Sequence, residues 1–167
     1  MALAKADFYY GALLSRLVGT GFAPAIIEEG DKRRIYSLAN DFGDYTVYAK
    51  YASKPNTNNV NSSRWNFQFS SDELTIIEDD DQLDRYIFAF ICEVENLRDS
   101  EIVLLTRDEF VNCIGEDYIS PNRRISIKTD KGSWNFYVYG TGRDVKKSLK
   151  ITRNIDKRLK ELSRVHV

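Results

Sequence analysis

"RYIFAFICEV", residues 85–94, is the segment on which the architecture turns. It is a nearly unbroken apolar run, set after the acidic stretch "EDDDQLD" (78–84). A short run of this kind predicts a strand buried on both faces, at the centre of a sheet. "EIVLLT" (101–106) is a second such run. Upstream lie three candidate neighbours: "APAIIEE" (23–29), "RRIYSLA" (33–39) and "YTVYAKYA" (45–52). The turn segments "EGDK" and "NDFGD" separate them, so they read as an antiparallel meander. "RWNFQF" (64–69) alternates, with Trp65, Phe67 and Phe69 on one face. "RRISIKT" and "SWNFYVYG" flank "DKG" as a hairpin.

Helices close the scheme. Residues 2–22 place Leu3, Ala6, Tyr10, Leu13, Leu14 and Leu17 at helical spacing, with Gly19 and Gly21 to end the helix. Ser70 with Glu73, and Thr106 with Glu109, stand at capping-box spacing before short helices. Residues 143–165 read as one long basic helix. "SKPNTNNVNSS" (53–63) lacks apolar periodicity apart from Val60 and reads as a mobile loop. The expected fold is α/β (α+β): one domain over 1–167, with a mixed twisted sheet of six to eight strands and helices at both ends.

Composition narrows the chemistry. The chain has 167 residues and a formal net charge of −1, so its overall charge selects no partner. Cys92 and Cys113 sit in apolar runs and read as buried free thiols. Nothing resembles a signal peptide or a membrane span, so a soluble, cytoplasmic protein is expected, with no membrane partner. The one histidine, His166, is next to last, which sets aside histidine catalysis and zinc clusters. "EDDDQLD" lacks the EF-hand spacing and glycine.

The strongest local signal is basic. On a helix over 143–165, Lys146, Lys150, Arg153, Lys157, Lys160 and Arg164 fall on one line. They would span about 27 Å, enough to track several phosphates. Between Arg143 and Arg164 there are nine basic and three acidic residues, a local charge of +6 that leaves −7 for the rest. The plainer reading is a solvated helix face. Just before it, Gly140-Thr141-Gly142 could offer backbone N–H groups to an anion, with Thr141 and Arg143 as contacts. Here the plainer reading is a turn, with Asp144 as a cap.

"DYTVYAKYASKP" (44–55) brings a lysine to the end of a strand that follows an acidic turn. The order helix, strand, strand, acidic turn, strand ending in lysine resembles the PD-(D/E)xK, or restriction-endonuclease-like, nuclease superfamily. That resemblance implies a Mg²⁺ site, with one Asp, an acidic residue two before a lysine, and the lysine near the attacking water. The matching triplet is Tyr48-Ala49-Lys50, with tyrosine at the acidic position. Lys50, Asp44 and Asp41 are then the catalytic candidates, with Glu28 and Glu29 as further carboxylates. Three readings follow, in order. The first is a nucleic-acid-associated protein (DNA or RNA) of nuclease-like fold with impaired catalysis. The second is a protein–protein interaction module, such as an inhibitor or regulator in a microbial or phage conflict system. The third is a metal-dependent nuclease, the only one of the three that needs a cofactor, Mg²⁺.

Overall fold

The computed structural model describes residues 2–28, 33–40, 43–53, 61–78, 85–95, 97–115 and 122–164. Asp41, Glu29 and His166, and most of the 53–63 segment, lie outside these residues. The elements run α1 (Lys5–Gly19), β1 (Ala23–Glu28), β2 (Arg34–Asn40), β3 (Gly43–Ala52), β4 (Ser62–Ser70), α2 (Ser71–Glu78) and β5 (Tyr86–Cys92). They continue with β6 (Glu101–Thr106), α3 (Arg107–Ile114), β7 (Asn122–Asp130), β8 (Asn135–Gly140), β9 (Leu149–Thr152) and α4 (Ile155–Arg164). The class is α+β, as the residue patterns predict.

The strands form two sheets where the sequence suggested one. The first has the order β1-β2-β3-β5-β6 and the second β4-β7-β8-β9. β1, β2 and β3 pair antiparallel, as the meander required. β5 lies parallel to β3 and antiparallel to β6. The connection from β3 to β5 passes through β4 and α2, since a parallel neighbour cannot be reached by a tight turn.

Every residue of β5 is buried, and its alternation explains why. Tyr86, Phe88, Phe90 and Cys92 face the space between the sheets. Ile87, Ala89 and Ile91 face the opposite side, under α1 and α4. The inter-sheet core takes Trp65, Phe67 and Phe69 from β4, Ile125 and Ile127 from β7, and Phe136 and Val138 from β8. Phe88 stacks on Phe110 of α3 with ring centroids 3.9 Å apart. The second core packs Tyr10, Leu13 and Leu17 of α1, and Leu159 and Leu162 of α4, on the first sheet. The molecule is therefore layered: α1 and α4, then the first sheet, then the second sheet, with α2 and α3 contributing to the core between the sheets. Neither core lies on the outer face of the second sheet.

The basic helix expected over 143–165 is not one helix. Val145–Lys147 is a single 3-10 turn, Leu149–Thr152 is strand β9, and only Ile155–Arg164 is α-helical. Asp144 caps the start of that turn by accepting from Lys146 N, and Ser148 N, bonded to Val145 O, ends it. Leu149 and Ile151 then point to the inter-sheet core, and Lys150 and Thr152 point away. A two-residue alternation was embedded in what reads as a 3.6-residue period. Asn154 starts α4 by accepting from Lys157 N at 3.0 Å.

Candidate functional site

Lys50 and Tyr48 stand two apart on β3, so both side chains enter the inter-sheet space. There they meet Glu73 of α2. Lys50 Nζ lies 3.0 and 3.2 Å from the two carboxylate oxygens and also donates to the Gln68 carbonyl of β4. It sits 4.3 Å from the Phe69 ring centroid. Tyr48 donates its hydroxyl to Glu73 at 2.6 Å, and Arg33 Nη1 donates to that same hydroxyl oxygen at 3.1 Å. Burial pushes the Glu73 carboxyl up, but the Tyr48 hydrogen bond and the Lys50 charge outweigh it, so its pKa is lowered. Burial, then the adjacent Glu73, raise the Tyr48 phenol well above its usual value. The lysine thus belongs to an ion pair that ties the first sheet to α2 and β4.

The nuclease-like set is not assembled around it. Asp44 is exposed near the other end of β3, six residues from Lys50, or roughly 20 Å along the strand. A carboxylate ligand lies within about 2.6 Å of its ion, and a lysine that orients water on that ion must reach the same spot, so the two cannot serve one site. The Asp44 carbonyl accepts from Arg85. Among the described residues, no group of three or more His, Cys, Asp or Glu side chains could hold a metal ion. Asp41 and Glu29 fall outside those residues, as does the side chain of Glu28.

The glycine loop offers no free cradle. Gly140 N and Arg143 N bond across to Arg143 O and Gly140 O, Thr141 N goes to Arg124 O, and Gly142 N goes to Cys113 O. Thr141 Oγ1 accepts from Arg124 N at 2.8 Å, and Arg143 Nε donates to Lys147 O. The glycines serve contact instead. A Cβ on Gly140 would lie 2.3 Å from Arg124 O, and one on Gly142 would lie 2.3 Å from Gly115 Cα. Thr141 and Arg143 are therefore turn residues in a tight backbone junction, the plainer of the two readings, with Asp144 as the cap of the 3-10 turn that follows.

The six cations of the expected stripe are dispersed. Lys146 is exposed on the 3-10 turn, and Lys150 is exposed on the outer face of the second sheet. Arg153 makes a two-pronged pair with Glu101, at 2.9 and 2.7 Å. Lys157 and Lys160 are exposed on α4, and Arg164 ends that helix. Because α4 covers the first sheet, Lys157 and Lys160 lie on the side of the molecule opposite Lys150. No single ligand surface holds the stripe.

Lys150 instead joins a row that the sequence did not reveal. Register pairs Arg64 of β4 with Lys128 of β7, Lys128 with Tyr137 of β8, and Tyr137 with Lys150 of β9. All four lie on the outer face, since Trp65, Ile127, Phe136, Val138 and Ile151 point inward. At about 4.8 Å between strands, the row is roughly 14 Å wide. Behind it, Arg124 donates to Ser126, and Ser126 donates to Asn66 at 2.7 Å, a chain running from β7 to β4. The outward strand positions carry the cations Arg64, Arg124, Lys128 and Lys150 and one carboxylate, Asp130, which pairs with Lys128 at 3.4 Å. Arg123, next to Arg124, points inward and is buried. Lys128 facing Tyr137 could have been counted back from the "DKG" turn. The Arg64 to Lys128 pairing joins strands far apart in sequence and leaves no local signal.

Comparison of the chain with protein-family models, with curated proteins and with solved structures returns no match.

Proposed function

We propose that this protein binds nucleic acid, with the outer face of the β4-β7-β8-β9 sheet against the phosphate backbone. The observation that carries this reading is the transverse row Arg64–Lys128–Tyr137–Lys150. Like charges directly opposite one another destabilise a sheet pair. Arg64 faces Lys128 across β4 and β7 even so, with one carboxylate, Asp130, in the strand positions of that face. An anionic ligand would relieve that repulsion. Among the described residues no α-helix packs its apolar side there, because both hydrophobic cores lie elsewhere. The proposal is for binding and includes no cleavage step, since Lys50 is engaged by Glu73 and distant from Asp44.

A salt titration tests it. A labelled oligonucleotide followed by fluorescence anisotropy should bind at low salt and weaken steeply as salt rises. About four neutralised phosphates on a single strand give a slope of roughly −3 in log affinity against log salt. A slope near zero, or no binding at low salt, would remove this function.

A further inference from the structure

Tyr137 interrupts the cationic row at its third position. Register sets Lys128 of β7 on one side of it and Lys150 of β9 on the other. Its own strand fixes the face. Phe136 and Val138, its neighbours on β8, are buried in the core between the sheets, so Tyr137 projects from the outer side. Ile127 beside Lys128 and Ile151 beside Lys150 point inward in the same way, so both lysines share that side. Tyr139 has the same parity but is buried, whereas Tyr137 stays partly exposed. Among the described strand positions of this face, Tyr137 is therefore the one aromatic residue that is not buried.

The ring is anchored at its far end. The Tyr137 hydroxyl lies 3.3 Å from Ser133 Oγ, and Ser133 Oγ accepts from Asn135 N at 3.2 Å. Ser133 N closes the β7–β8 turn on Asp130 O at 3.0 Å. Less freedom is then lost when a partner packs on the ring. Neither hydrophobic core includes Tyr137, so packing of the fold does not account for an aromatic residue at this position. Cations alone attract one strand or two, because they read phosphates. An aromatic face discriminates, since a duplex keeps its bases stacked and paired inside, whereas an unpaired strand can lay a base on the ring. Cations that follow a backbone, interleaved with an aromatic ring, are the two parts of a single-strand site. Here the lysines on either side of the ring stand two strand spacings apart, roughly 10 Å. The pair that Lys128 makes with Asp130 is solvent-exposed and costs little to break.

We propose that Tyr137 stacks on an unpaired base while Lys128 and Lys150 hold the phosphates flanking it, so that the ligand of this sheet face is single-stranded nucleic acid. This rests on the nucleic-acid reading above and narrows it. The test uses three labelled ligands followed by fluorescence anisotropy: a single strand, the duplex of the same sequence, and a strand of the same length with abasic sites, which keeps the phosphates and removes bases. Each is titrated with the unaltered full chain, Tyr137→Ala and Tyr137→Phe. The phenylalanine variant keeps the ring and loses only the hydroxyl.

The unaltered chain should bind the intact single strand more tightly than the duplex or the abasic strand. Tyr137→Ala should weaken binding of the intact single strand roughly 10- to 100-fold, the range of one base–aromatic stack. It should leave the salt slope and the affinities for the other two ligands unchanged, and Tyr137→Phe should retain most of the binding. Circular dichroism checks that both variants fold. If Tyr137→Ala does not fold, the intact and abasic strands compared on the unaltered chain decide the matter. Equal affinity for those two strands would overturn this inference while the phosphate contacts stood. So would a Tyr137→Phe variant as weak as Tyr137→Ala, which would assign the contact to the hydroxyl. An equal loss of single-strand and duplex binding in Tyr137→Ala would overturn the preference for unpaired strands. Absence of binding to all three ligands would overturn both readings.

Discussion

Lys50 is placed by its own strand and held by a residue that its sequence neighbourhood does not contain. Its ammonium has lost most of its water, and the Glu73 carboxylate and Gln68 carbonyl replace it. Such a pair resists loss of one partner more than loss of both. Glu73→Gln should cost about 3 kcal/mol, and Lys50→Met a similar amount, while Lys50→Met with Glu73→Leu should cost less than the sum of the two. Urea denaturation of the three variants measures this cycle. The same pair sets an acid limit. The folded pKa of Glu73 is lowered, so its contribution is full above the unfolded value of about 4.3 and is lost as pH falls through the folded one. Urea midpoints should therefore fall as the pH drops below about 4.3, and less steeply in Glu73→Gln. The sequence showed Ser70 and Glu73 at capping distance, and Glu73 N does donate to Ser70 Oγ at 3.1 Å. That the Glu73 carboxylate would turn to Tyr48 and Lys50 depends on how β3 meets α2. No spacing within either segment records that.

The elements differ in how plainly the chain announces them. β5 was legible because a run buried on both faces leaves no polar positions to interpret. α3 was legible because Thr106 and Glu109 do cap each other's ends, at 3.2 and 2.8 Å. β9 was not, because "LKIT" satisfies both a helical stripe and an alternating strand, and pairing with β8 chose between them. The glycine junction before it can be probed by substitution. Gly142→Ala would drive a Cβ into the Gly115 backbone, at a cost of about 2 kcal/mol or more and a fall in Tm of at least roughly 5 °C. Gly11 is helical and exposed, and a methyl group there would meet nothing within 4 Å, so Gly11→Ala should gain about 0.5–1 kcal/mol. Thermal melts of the two variants should move in opposite directions.

Across the full protein, layering decides which charges can act together. The linear stripe from Lys146 to Arg164 is divided between opposite sides of three layers, so its +6 never becomes one surface. Cations from three strands, spread from Arg64 to Lys150, converge on the outer face of the second sheet instead. That convergence depends on tertiary pairing and was invisible to a reading along the chain, whereas the strands themselves and their inward faces were visible. If this sheet face, and not α4, meets the nucleic acid, two charge reversals should behave differently. Arg64→Glu with Lys150→Glu alters the sheet, and Lys157→Glu with Lys160→Glu alters α4. Oligonucleotide anisotropy at low salt compares them. The sheet pair should lower affinity at least about 100-fold and flatten the salt slope, while the α4 pair should change it by less than about threefold. Loss of binding in the α4 pair, with the sheet pair unaffected, would contradict binding at the sheet.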